Sequence, residues 1–165
     1  MRANYYNVAF GLGSNLGGRL QQLREAVEKF VLNGFIIKSK SNVYETEPWG
    51  VTDQPLFLNA CVGAEIDSEL SPSKLLRIIK NIEFGMGRVK SFRYGPRVID
   101  IDLLFIDSIT YESKFLTLPH KEIFNRAFVL YPLAEIFPNW THPITGENVS
   151  EVALKYSRPI RVVKL

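Results

Sequence analysis

The 165-residue chain carries one cysteine and two histidines, and it has no apolar run near the ~18 to 20 residues of a membrane-spanning helix. A single thiol excludes an intrachain disulfide, and so few soft ligands exclude a structural zinc site of the usual kind. Any metal is therefore expected to be hard and oxygen-bound. Cys61, within Phe57-Leu58-Asn59-Ala60-Cys61-Val62, reads as a buried thiol. The first ten residues lack the basic start and sustained apolar stretch of an export signal, so a soluble, cytoplasmic protein without a membrane partner is expected. Nine prolines and eleven glycines are too few for collagen-like or linker composition. With 46% hydrophobic and only 22% charged residues, the chain is not disordered. No internal repeat or long linker interrupts it, and a single domain over residues 1–165 is expected.

The net charge of +3 is unevenly spread. Between Lys74 and Arg97 stand seven basic residues against Glu83 alone, a local +6 that leaves the remainder at −3. Val98 to Glu112 then holds four acids and no Lys or Arg. A basic cluster beside a carboxylate pair suits a polyanion with divalent cations, and the same pattern suits a solvated surface or a nucleic-acid patch.

Val8 to Leu12 reads as a first strand, followed by a Gly-rich turn through Gly18 and a helix with apolar residues at Leu20, Leu23, Ala26, Val27, Phe30 and Val31. Asn33-Gly34 ends that helix. Strand segments follow at Phe35 to Lys40, Ser41 to Thr46 and Phe57 to Ile66, with a loop over Glu47 to Pro55. Ser71-Pro72 caps a second helix with Leu75, Leu76, Ile79 and Ile82 on one face, ending near Gly85. Val98 to Ile106 is a strand, and helices are expected at Asn125 to Ile136 and Glu151 to Tyr156. The order β-α-β-β-α-β implies an α+β fold, a three-layer α/β/α sandwich with a ferredoxin-like, mainly antiparallel central sheet.

The turn from Gly11 to Gly18 fails as a dinucleotide fingerprint, because Leu16 stands where glycine is needed, and as a Walker loop, because Arg19-Leu20 follow Gly18. It reads as a structural turn. Asp100-Ile101-Asp102 is sharper: along a strand both carboxylates face one way, about 7 Å apart, while Ile99, Ile101 and Leu103 face the core. Mg²⁺ is the natural cation between them, and a half-exposed strand with a polar outer face is the plain alternative.

The surrounding Arg93-Tyr94-Gly95-Pro96-Arg97-Val98-Ile99-Asp100-Ile101-Asp102-Leu103-Leu104 resembles the signature of the 6-hydroxymethyl-7,8-dihydropterin pyrophosphokinases of folate biosynthesis. The resemblance runs through nearly the whole chain. It takes in Gly11-Leu12-Gly13-Ser14-Asn15, Tyr44 to Gly50, Asp53-Gln54-Pro55, Leu58-Asn59-Ala60, Gly87-Arg88-Val89, Leu118-Pro119-His120, Asn125 to Phe128 and Pro132-Leu133. It implies a Mg-dependent transferase that moves the β,γ-diphosphate of ATP to the hydroxymethyl group of the dihydropterin and releases AMP. By the same resemblance Asp100 and Asp102 bind two Mg²⁺ ions, with Arg88 and Arg97 sharing the catalytic burden. Arg88, Lys90, Arg97 and His120 contact the ATP phosphates, while Glu83, Thr117 and the Leu103 backbone hold the nucleoside. Thr46, Pro48, Trp49 and Asn59 belong to the pterin pocket, walled by Phe57 and Phe128, and Arg126 reaches the pyrophosphoryl group.

Asn59 suits its role chemically, since an amide offers donors and an acceptor to a pterin edge. Tyr94, Lys90, Phe115 and Lys121 depart from the residues common in relatives, and the loop between Arg88 and Arg97 is one residue shorter than in some. No side chain stands out as general base. ATP and the pterin are the partners the resemblance implies; a monomer without nucleic acid, open to association with other folate-pathway enzymes, is expected. A nucleic-acid module would explain the +6 segment with Phe92 and Tyr94 but has no use for two aspartates facing the same anion. A nucleotidyl or single-phosphoryl transferase would release pyrophosphate or ADP instead of AMP.

Overall fold

The structure, a computed structural model, describes residues 4–89, 92–156 and, as backbone only, 161–163. The first strand, β1 (Tyr5–Ser14), passes the expected end at Leu12, so Gly11 and Gly13 lie in the strand and the turn begins after Ser14. Helix α1 (Arg19–Leu32) buries Leu23, Ala26 and Phe30, whereas Val31, expected on that face, is 56% exposed at the fraying end. Gly34, at φ +84, reverses the chain so that Phe35 returns onto Phe30 and Phe10, with ring centroids 5.5 and 5.7 Å away.

Strands β2 (Ile36–Lys40) and β3 (Val43–Thr46) both run antiparallel to β4 (Phe57–Asp67), at opposite ends of it, and act as one strand broken at Ser41-Asn42. Helix α2 (Pro72–Gly85) starts where Ser71 accepts a hydrogen bond from the Lys74 amide, and its Leu75, Ile79 and Ile82 are buried. Strand β5 (Asp100–Ile106) begins two residues later than expected, because the Arg97 backbone is bonded to Asn15 instead of the ladder. A hairpin of β6 (Tyr111–Glu112) and β7 (Thr117–Leu118) follows, then α3 (Ala127–Ile136), α4 (Val149–Lys155) and β8 (Arg161–Val163).

The main sheet runs β5-β1-β4-β3-β8, with β2 also on β4, and all its pairings are antiparallel. Taking β2 and β3 together recovers the β-α-β-β-α-β order of a ferredoxin-like sheet, extended at one edge by β8. One face carries α1 and α2 over Val8, Phe10, Leu12, Ile99, Ile101 and Leu103. The other carries α3 and α4 over Ala9, Cys61, Leu104 and Phe105, completing three layers. Cys61 is free and buried, as expected. Among the described residues no helix is long and apolar enough to cross a membrane.

The β1–β5 register slips between Ala9 and Phe10, leaving Leu104 without an opposite residue. Up to this bulge, strict alternation sends Asp100 and Asp102 to one face and Ile99, Ile101 and Leu103 into the core beneath α1 and α2. Ile79 is fully buried in that layer. Ile79→Ala should therefore cost about 2 to 5 kcal/mol of folding stability, read as a lowered denaturation midpoint at unchanged slope, since it removes core volume without touching the carboxylate face.

Candidate active site

Strand pairing lines up chemistry across three strands. Gly13 of β1 lies opposite Asp100 on one side and Asn59 on the other, and Gly11 lies opposite Asp102 and Cys61. Directly opposed residues share a face, so the two glycines floor a trough with the carboxylates on one bank and Asn59 on the other, two strand spacings or about 10 Å apart. A Cβ on residue 13 would stand 3.0 Å from Asn59 Oδ1, so glycine here keeps the amide in place. A cleft of about 300 Å³ opens over this trough.

At the carboxylate bank, Asp100 Oδ1 accepts from Arg88 Nη1 at 2.7 Å and Oδ2 from Arg97 Nη1 at 2.9 Å. Arg88 also binds Glu83, which is 3% exposed and takes further bonds from Lys80 Nζ (2.9 Å) and the Ile101 amide (2.7 Å). Asp102 has a looser partner, Arg126 at 3.8 Å. Burial, and then the neighbouring Asp100, push the Asp102 carboxyl well above the ordinary carboxylate range, against the pull of Arg126 and Lys80. Arginine side chains thus bring positive charge to both aspartates.

Arg126 caps α3 with an extended backbone; its buried Nε lacks a hydrogen-bond partner, and its guanidinium lies 5.8 Å over the Phe128 ring. An unpaired buried donor beside a cleft is suited to an incoming anion. His120 Nδ1 accepts from the Glu122 amide at 3.2 Å, which leaves Nε2 to carry the proton of the neutral ring. Burial, and then Arg126, lower the His120 pKa to about 4, so it is a neutral donor at neutral pH.

At the other bank the Asn59 amide donates to Thr46 Oγ1 at 2.7 Å, leaving Oδ1 and the second N–H for a ligand edge. Phe57, Trp49 and Phe128 line this end, and Trp49 meets Phe128 edge-on at 6.3 Å. Asn15, 2% exposed, ties the surrounding loops to β1. Its Oδ1 accepts from the Arg97 amide (2.8 Å), and its Nδ2 donates to Gln54 Oε1 (2.9 Å) and Pro55 O (3.0 Å). Gln54 Nε2 then donates to Tyr94 O at 2.7 Å. Tyr94 has φ +62, and its ring sits where a Cβ on Gly50 would press at 3.2 Å.

The structure brings together in one cleft Thr46, Trp49, Phe57, Asn59, Arg88, Arg97, Asp100, Asp102, His120, Arg126 and Phe128. Four expected residues stand outside its lining. Pro48 is buried beside it, and Glu83 beneath it has its carboxylate occupied by three donors. Leu103 is buried in the core of β5, the outermost strand, against which β7 with Thr117 packs, so these two mark a separate place along the β5 edge. Lys90 lies outside the described residues. The cleft also holds Glu47, Tyr94 and Lys80, which the sequence reading did not assign to it. Lys80 was detectable, since it precedes Glu83 by one helical turn; Asn15 carries no local signal of its four-way role.

The donor set fits Mg²⁺. The two half-buried carboxylates are hard oxygen ligands, and among the described residues no group of three or more His, Cys, Asp or Glu is poised to enclose a metal. That leaves positions for water and phosphate oxygens, the arrangement Mg²⁺ prefers.

Comparison with known proteins points to one family. The model of the 7,8-dihydro-6-hydroxymethylpterin-pyrophosphokinase family matches residues 9–138. A 2-amino-4-hydroxy-6-hydroxymethyldihydropteridine pyrophosphokinase of Methylorubrum extorquens is 47% identical over 88% of this chain and 90% of its own length. The mitochondrial folate synthesis bifunctional protein of Pisum sativum is 45% identical over 78% of this chain, which spans only 25% of that protein. In fold, the HPPK-DHPS of Plasmodium falciparum, solved with pteroate, superposes with a TM-score of 0.73 at 16% identity, over 94% of this chain and 44% of that one.

His120 gives a pH signature. Its native pKa lies below the ordinary value, so the unfolded chain binds the proton more readily, and stability falls as pH drops from about 6.5 to about 4. His120→Gln should remove that part of the loss, on the order of 3 kcal/mol, so that the two denaturation profiles differ by a constant above pH 6.5 and diverge from it below.

Proposed function

The chain belongs to the 7,8-dihydro-6-hydroxymethylpterin-pyrophosphokinase family, and its reaction is pyrophosphoryl transfer to hydroxymethyldihydropterin in folate biosynthesis; we propose that ATP is the donor, AMP the product, and the described cleft the place of transfer. The observation that carries this is the register row Asp100–Gly13–Asn59. It sets a charge-bearing bank and a flat, aromatic bank about 10 Å apart, with only glycine between them.

In this reading Asp100 and Asp102 are the residues that would hold two Mg²⁺ ions, which would supply neutralisation of the polyphosphate charge. Arg88, Arg97, Lys90 and Arg126 hold the phosphates, and the His120 Nε2–H donates to one of them. Glu83 positions Arg88, while Thr117 and the Leu103 backbone at the β5 edge receive the nucleoside. Thr46 fixes the Asn59 amide so that it reads the pterin edge, between Phe57 and Phe128 and beside Pro48 and Trp49. The pterin hydroxymethyl oxygen then bonds to the β-phosphorus as the bond from that phosphorus to the α,β-bridging oxygen breaks, AMP departs with that oxygen, and the hydroxyl proton is released to solvent. Positioning and charge stabilisation by preorganised side chains account for the acceleration, without a covalent intermediate on the protein.

The reading extends to a monomeric, cytoplasmic enzyme acting as one pyrophosphokinase domain over residues 1–165. Association with other folate enzymes is part of it, since relatives such as the pea protein are bifunctional. Incubation with ATP, Mg²⁺ and hydroxymethyldihydropterin, followed by identification of the released nucleotide, tests it. AMP is expected; ADP or inorganic pyrophosphate would mean a different transfer.

Phe128 separates the two substrates. Stacking of a heterocycle on an aromatic ring is worth about 1 to 3 kcal/mol, so Phe128→Ala should weaken pterin binding roughly 5- to 150-fold. Affinity for the nucleotide should barely move. Calorimetric titration of each ligand beside a melting curve checks this, and parallel loss of both ligands with early melting would make Phe128 a core residue only.

A further inference from the structure

We infer that Arg88 and Arg97 are resident counter-ions of Asp100, which keep a lone divalent cation off the carboxylate pair until a polyphosphate draws the guanidiniums away. The inference rests on the cleft being a metal–polyphosphate site and adds an order to its filling. Each Asp100 oxygen has its own guanidinium, Arg88 at 2.7 Å and Arg97 at 2.9 Å, so a metal approaching the carboxylate meets two positive charges that already neutralise it. Both arginines are mostly buried, with side chains 26% and 18% exposed. A cation that displaced them would leave Arg97 without a carboxylate partner and add its own charge beside two poorly solvated guanidiniums.

The two clamps differ. Arg88 released from Asp100 still has the buried Glu83, itself fixed by Lys80 and the Ile101 amide. Among the described residues, Arg97 then keeps the Gly95 carbonyl, 3.1 Å from its Nε, as its side-chain partner. A polyphosphate supplies the acceptor that Arg97 otherwise lacks, at the moment the freed carboxylate oxygen becomes available to a metal. Asp102, with its single partner at 3.8 Å, needs no such exchange. Metal and polyphosphate therefore bind with positive coupling, and by linkage each must raise the affinity of the other by the same factor.

The test titrates the whole protein with Mn²⁺ alone, following the electron-spin resonance of the free ion. Wild type is compared with Arg97→Gln, which removes one clamp, and Arg97→Lys, which keeps the charge without the forked donors. Arg97→Gln should bind Mn²⁺ alone about fivefold or more tighter than wild type, with Arg97→Lys close to wild type. An ATP analogue with a methylene in place of the α,β-bridging oxygen is then bound with and without Mn²⁺. The wild-type gain in analogue affinity should fall within about 5- to 150-fold and shrink in Arg97→Gln. Melting curves confirm that the variants are folded. Mn²⁺ binding by Arg97→Gln no tighter than wild type overturns the inference, and so does tight Mn²⁺ binding to the wild-type protein alone. Failure of the cleft reading itself looks different: the wild-type protein would then not retain the analogue with Mn²⁺ at all.

Discussion

Two carboxylates two residues apart on one strand face, at about 7 Å, repel by about 2 kcal/mol at an effective dielectric of about 20, and burial adds to that cost. Much of the cleft is arranged around this repulsion. Arg88 and Arg97 take the two oxygens of Asp100, and Arg126 approaches Asp102 from the roof. Glu83 and Lys80 fix Arg88 from below, and Glu83 also holds the first peptide after Asp100 through the Ile101 amide. The Ile residues on the opposite face bury the strand under α1 and α2, so the carboxylates cannot swing away from one another. The charges that make the face costly without a ligand are those a bound polyphosphate and metal can use.

The same strand pairing gives the cleft its length. Antiparallel register places Gly13 between Asp100 and Asn59, and any larger residue at that point would fill the trough and push on the Asn59 amide. Thr46, on the strand next to Asn59, orients the amide without occupying its remaining donor and acceptor. The roof comes from the first turn of α3, where Arg126 and Phe128 sit two residues apart with the guanidinium above the ring. Three adjacent strands, β5, β1 and β4, thus hold chemically opposite surfaces at a fixed distance. Both loops beside the cleft hang from one buried amide, Asn15, so the backbone of Arg97 and the segment carrying Gln54 and Pro55 share one anchor.

Local chemistry made much of this legible. Alternation at Asp100-Ile101-Asp102, the Ser71-Pro72 cap, the Asn33-Gly34 stop and the apolar spacing of α1 and α2 are short-range effects, and the elements formed where they indicate. The order of elements led to a ferredoxin-like sheet because few topologies bury such helices against such strands. Four features were not legible: the continuation of β1 through Gly13, the late start of β5, the β6–β7 hairpin and the pairing of β8 with β3. All but the hairpin, whose strands are only two residues each, depend on a partner far along the chain. Gly13 reads as a turn residue until Asn59 and Asp100 stand on either side of it, and Val98 reads as strand until Asn15 claims the backbone of Arg97.

The sequence by itself determined which chemical groups the protein brings to its cleft and, through spacing, which of them share a strand or helix face. Only the tertiary structure decided what those groups bind in one another. That Glu83 is a buried clamp on Arg88, that burial keeps His120 neutral, and that Arg126 lies near Asp102 with an unpaired Nε follow from burial and from partners brought together by the packed fold. The physical reason is range. Alternation and capping act over a few residues and are written in the chain, whereas desolvation and ion pairing depend on which distant segments the packed sheet and helices bring together.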